Sequence, residues 1–214
     1  MATPIAADPV APAGLSAVPD KNGVETIAAA IERFKRGGED SIYPGYRELV
    51  TTMIDNGIKS DFENDSYLDA LFLTHLMFSR AQNSIKLFTG NNGDEFLKVL
   101  NRPFENALER IKKAGGSVKI ILLSAALPNW LGDLKAKYPE TLDVVLAKAL
   151  QPVKHFILCD SKMARLEEPH GELTPTTPAT TIKAKVYFND TAKCKDLEGV
   201  FQAMWSILRP KPGS

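Results

Sequence analysis

The chain has 214 residues, 44% hydrophobic and 24% charged, a composition that suits one soluble globular domain with a few appended helices. Lysine plus arginine and aspartate plus glutamate number 26 each, so the formal net charge is zero, which argues against a bulk electrostatic grip on nucleic acid or an anionic membrane and leaves only a local patch. There is no run of roughly 18 apolar residues to span a membrane, no secretory signal pattern, and no zinc or redox spacing around Cys159 and Cys194; the expectation is a cytoplasmic protein with two buried thiols, no metal and no cofactor.

Residues 1–22, rich in Ala and Pro and without a period, are expected to form a disordered arm, and residues 210–214 a tail. From Val24 to Lys35 one helical face carries Ile27, Ala30, Ile31 and Phe34, and Gly37-Gly38 ends it. Pro44 suits the first turn of a second helix, whose stripe of Tyr46, Leu49, Val50, Met53 and Ile54 runs to Gly57. Together these make an N-terminal helical extension over residues 23–65.

The main domain is expected over residues 66–209. Ser66, with Asp69 three places on, caps a strongly apolar helix; His75 on its apolar face reads as a buried or boundary histidine with one partner. Ile85 to Thr89 is a strand, and Gly90-Asn91-Asn92-Gly93 leads into a helix capped by Asp94. Such a turn can cradle phosphate, but Asp94 and Glu95 put negative charge where the anion would sit. The period from Phe96 to Ile111 is helical, with Pro103 kinking or splitting it. Val118 to Leu123 reads as a central strand, Pro128 to Tyr138 as a helix, and Leu142 to Leu146 as the next strand.

Gln151 to Glu168 reads as a hairpin: Phe156 to Cys159 is one strand, Asp160-Ser161 the turn, and Met163 to Leu166 the return. Pro169 to Thr181 lacks an apolar period and is expected to be a mobile loop. Ile182 to Phe188 is a strand, and Asp190 caps a final helix facing Cys194, Leu197, Phe201 and Trp205 to the core. Early strands alternate with helices and late ones do not, so the fold class is α/β, with a mixed, mostly parallel sheet flanked by helices on both faces.

From about Ser66 to Arg209 this order resembles the single-copy half-domain of the phospholipase D-like family. The segments SIKLFTG, ALERIKKAGG, VKIILL and AKVYFND, and the F-x-x-x-W of Phe201 and Trp205, carry the resemblance. The family's signature is H-x-K-x4-D, in which the His attacks phosphorus, the Lys neutralises the phosphate, and the His of a second copy protonates the leaving oxygen. The resemblance therefore implies a homodimer. Asp160 takes the aspartate position; counting back puts His155 at the lysine position and Val153, without a nucleophilic atom, at the position of the attacking His. Sliding the frame by one brings Lys154 to the lysine position but loses the Asp spacing. Where the family often has G-S-x-N, this chain has Arg165, Leu166, Glu167 and Glu168. The motif is degenerate, and the resemblance implies a scaffold without phosphohistidine chemistry.

Three functions follow as expectations. The first is a non-catalytic binding or regulatory module for a partner protein, a nucleic acid or a phosphorylated ligand, with Lys154, His155 and Arg165 as cationic contacts. The second is a phosphodiesterase or nuclease working through a rearranged site of His155, Asp160 and His170. The third is a structural or regulatory interaction protein using its N-terminal helices and the Ala/Pro-rich arm, as small accessory proteins of bacterial defence or mobile-element systems do, by analogy of fold. Each candidate also has a plain reading: His155 a satisfied strand residue, Lys154 in water, and Arg165 paired with Glu167 or Glu168.

Overall fold

The architecture comes from a computed structural model, which describes residues 24–90, 93–148 and 153–209. The expected arm at 1–22, the tail at 210–214, the loop residues Asn91-Asn92 and the capping side chain of Asp94 lie outside the described part.

Capping and periodicity set the helices. Thr26 caps α1 (Ile27–Gly37), and α2 (Pro44–Asp55) begins on its proline. Ser66 caps α3 (Tyr67–Arg80), its hydroxyl accepting from the Asp69 amide at 3.0 Å and donating to the Asp69 carboxylate at 2.8 Å. The helix around Pro103 is split, into α4 (Gly93–Val99) and α5 (Asn101–Lys113), because a proline cannot donate into a continuous helix. Helices α6 (Asn129–Lys137) and α7 (Thr191–Leu208) complete the set; the Asp190 carboxylate caps α7 by accepting from the Lys193 amide at 3.1 Å.

The strands are β1 (Ser60–Asn64), β2 (Ser84–Thr89), β3 (Ser117–Leu123), β4 (Leu142–Ala147), β5 (His155–Cys159), β6 (Met163–Glu167) and β7 (Ala184–Phe188). They form one sheet in the order β1-β7-β6-β5-β2-β3-β4. Among the described strands only β2–β3 and β3–β4 pair in parallel; the other four pairings are antiparallel, so the expectation of a mostly parallel sheet is corrected. Parallel neighbours need a crossover. Helices α4 and α5 supply one between β2 and β3, and α6 another between β3 and β4, but among the described residues no α-helix separates β4 from β7. Strand β1 lies in the stretch expected to be purely helical. Its alternation of Ser60, Phe62 and Asn64 against Asp61 and Glu63 is short and polar, as suits an edge strand, and it pairs with β7.

Alternating side chains divide the core. On one face, Ile85, Leu87, Ile120, Ile157 and Val186 pack under α1, α3, α5 and α6. On the other, Phe88, Ile121, Phe156 and Leu158 pack against Cys194, Leu197, Phe201 and Trp205 of α7. The stretch 169–181 does not hang free. Ile27 and Ala28 donate to Thr177 and Pro175 carbonyls at 2.9 and 3.0 Å, Ala179 donates to Glu25 at 2.8 Å, and Ala179 and Ile182 are buried.

Candidate functional site

The hairpin turn sets the register of everything at its open end. Asp160 and Ser161 both have positive φ, 53° and 51°, and the Lys162 amide donates back to Cys159 at 3.1 Å, the pattern of a type I′ turn. Lys162 follows the turn as one extra unpaired residue, so Cys159 faces Met163, and four residues back His155 faces Glu167. Directly opposed residues share a face of the sheet, and Arg165, two places before Glu167, shares it too. The C-terminal end of β2 lies beside the start of β5, bringing Gly90 against the His155 ring. A β-carbon at position 90 would lie 2.4 Å from its Cε1 and 2.5 Å from its Nε2, so any larger residue there would displace the ring from this position.

Glu167 is the hub. Its Oε1 lies 3.2 Å from His155 Nδ1 and 2.7 Å from His170 Nε2, and its Oε2 lies 2.5 Å from Arg165 Nη2. Burial opposes the Glu167 charge, but Arg165 and the hydrogen bonds from the two imidazoles outweigh it and hold the carboxyl well below the usual carboxylate range. An ionised carboxylate only accepts, so His155 Nδ1 carries a proton and donates. His170 Nδ1 faces the Gly171 carbonyl at 2.7 Å while its Nε2 faces Glu167. Both nitrogens meet acceptors, which favours the doubly protonated ring; the bond to Glu167 is the main cause of a raised pKa at His170.

Arg165 is buried, at 4% exposed. Its Nε donates to Asn64 Oδ1 at 2.9 Å, and its guanidinium lies over the Phe96 ring. These groups open onto a cavity of about 50 Å³ whose walls include Tyr67 of α3, Phe96 and Leu97 of α4, and Leu173 of the loop.

The expected trio of His155, Asp160 and His170 does not converge. His155 and His170 meet, with ring centroids 5.2 Å apart. Asp160 sits at the closed end of the hairpin, five residues of extended chain from His155, or roughly 16 Å. There its carboxylate accepts from the amides of Gln82, Asn83 and Ser84 at 2.7, 2.8 and 2.8 Å and pins the start of β2. Lys154 is turned to water and pairs with Glu168 at 2.6 Å, away from the cavity. Val153, at the nucleophile position of the degenerate motif, is half-buried against the α7 side of the core. His75 is the boundary residue expected of it, 3.1 Å from Glu39 and edge-on to Phe34. Glu167 stood out from the sequence only as one of two alternative ion-pair partners of Arg165, beside Glu168; its centrality depends on the cross-strand register.

The chain is a mixed seven-stranded sheet carrying such a hairpin, with helices on both faces, an α/β domain. No family model and no curated protein sequence matches the chain. Solved structures do. TrmBL2, an archaeal chromatin protein with a novel mode of DNA binding, aligns with a TM-score of 0.53 and 18% identity, over 76% of this chain and 58% of its own. This chain thus spans little more than half of TrmBL2's length. NucT from Helicobacter pylori aligns at 0.48 and 20% over 69% and 95%, and the phospholipase D family member Nuc from Salmonella typhimurium at 0.45 and 14% over 71% and 95%. At 18% identity the likeness to TrmBL2 is one of fold. Among the described residues no helix is long and apolar enough to cross a membrane.

Proposed function

We propose that the chain is a phospholipase D-like module that binds a phosphate-containing ligand, or a partner bearing one, without hydrolysing it, and that it acts as a homodimer. The observation that carries this reading is the commitment of one carboxylate oxygen, Glu167 Oε1, to both imidazoles of the site. The two rings are held as donors, and the position of the attacking histidine is occupied by Val153, packed against the other face of the sheet. His170, whose two ring nitrogens are spent on Gly171 and Glu167, would offer a phosphate its positive charge rather than a hydrogen bond, and His155 lines the same cavity. Arg165 supports them by fixing Glu167. DNA binding by TrmBL2, a protein of the same fold, is compatible with a nucleic-acid ligand here. The test is turnover of bis-p-nitrophenyl phosphate by wild type and His155→Ala, run beside binding of labelled oligonucleotides. Equal background rates are expected; turnover lost in the variant would sink the non-catalytic reading.

A second reading, a phosphodiesterase with a rearranged histidine pair, is favoured by one specific feature. Glu167 orients two imidazoles 5.2 Å apart on a shared cavity, an arrangement suited to paired acid and base work. The same turnover experiment decides between the two.

A further inference from the structure

We infer that His155, Glu167 and His170 form a binding site for a divalent transition metal ion, of which zinc is the best-suited. Their ligand atoms all lie within 4.8 Å of one another. Two imidazoles and a carboxylate are a donor set that zinc takes readily, leaving a fourth position for water or a ligand. With zinc–nitrogen and zinc–oxygen bonds near 2.0–2.1 Å, the edges of a tetrahedral site are about 3.3 Å. The His155 Nδ1 to Glu167 Oε1 separation of 3.2 Å already matches that edge, and the 2.7 Å separation on the His170 side has to open by about 0.6 Å. His170 is carried on the loop after β6, where such a shift is local.

The surroundings are those of a supported site. His170 Nδ1 donates to the Gly171 carbonyl, which presents Nε2 as the ligating atom. Arg165 holds Glu167 Oε2 and leaves Oε1 as a single oxygen donor. Gly90 admits the His155 ring, and the adjoining cavity of about 50 Å³ has room for the remaining ligand. Without metal the cluster is closed by proton-mediated bonds; on metal entry the Nε2 proton of the doubly protonated His170 leaves to solvent, and the Nδ1 proton of His155 is exchanged for one on its Nε2, so that both ligating rings are neutral. The inference does not depend on whether the module hydrolyses anything.

The full chain, stripped with a chelator, is titrated with Zn²⁺ against a chromophoric competitor and separately with Co²⁺, whose visible absorption reports four-coordination. We expect one equivalent per chain. Affinity falls at least tenfold in His170→Ala and in His155→Ala and is unchanged in His75→Ala, and the Co²⁺ bands are lost with His170. Far-UV circular dichroism establishes that each variant is folded. His170→Ala, altered on a loop, decides the matter if His155→Ala is not folded. No saturable binding, or one-to-one binding indifferent to His170→Ala, would overturn the site and leave a proton-closed ion-pair network in its place.

Discussion

Asp160 shows how one side chain of a catalytic-looking motif serves the fold. Its carboxylate takes three backbone amides at the entrance to β2, and its own backbone occupies the left-handed region that Asp and Asn tolerate best. Asp160→Ala removes all three bonds and strains the turn, and should cost about 2–3 kcal/mol. Asp160→Asn keeps one acceptor oxygen and the turn geometry and should cost about 1 kcal/mol. Urea unfolding midpoints check both, with m-values unchanged. His75 gives a pH dependence. Burial is the largest influence on the ring and lowers its pKa, against the pull of Glu39 at 3.1 Å. The unfolded chain then takes up a proton more readily than the folded one, so stability is lost as the pH falls from about 6.5, the ordinary histidine value. Wild type should lose stability more steeply than His75→Leu between about pH 7 and pH 5. Parallel urea titrations at both pH values measure the difference, and equal slopes would contradict the assignment.

At the scale of elements, two attachments matter. Helix α7 alone among the described elements covers its face of the sheet, through Phe201, which stacks on Trp205 at 5.6 Å and meets Phe156 edge-on. Phe201 is fully buried, and Phe201→Ala should cost about 3–5 kcal/mol in a reversible melt. The other attachment joins the N-terminal segment to the loop that carries His170. Ile27 is the first residue of α1 and follows an extended Thr26, so a proline fits there with little helix strain, yet it removes the donor to Thr177. Hydrogen exchange across residues 174–179 should rise in Ile27→Pro well beyond the rise in Ile27→Ala, which controls for the lost side chain. The helices expected as an appendage are thereby linked to the position of a site residue.

At the scale of the molecule, one copy of the hairpin makes one cluster, and the proposed dimer would bring two together. Light scattering of the full chain should give twice the 23.4 kDa of a monomer; a monomer at the concentrations used for ligand binding would remove the dimer from the proposal. Most of the scaffold was legible in the chain itself. Helix starts at Ser66 and Asp190, the break at Pro103 and the Asp160-Ser161 turn are local effects, written in a few adjacent residues by capping, φ preference and lost donors. Strand β1 was not, because a five-residue polar edge has no apolar pattern of its own and is defined by pairing with β7, some 120 residues on. Sheet direction was misjudged for a similar reason: the path after β4 is chosen by which edge is free. The cluster was half legible. His155 and His170 stood out by residue type, whereas Glu167 at their centre and Asp160 at the far end were assigned by register and distance alone. Sequence by itself determined where the chain bends, caps and buries, since those are short-range preferences. Only the tertiary structure decided which charged groups share a cavity, because that depends on strand pairings between residues that carry no mark of one another.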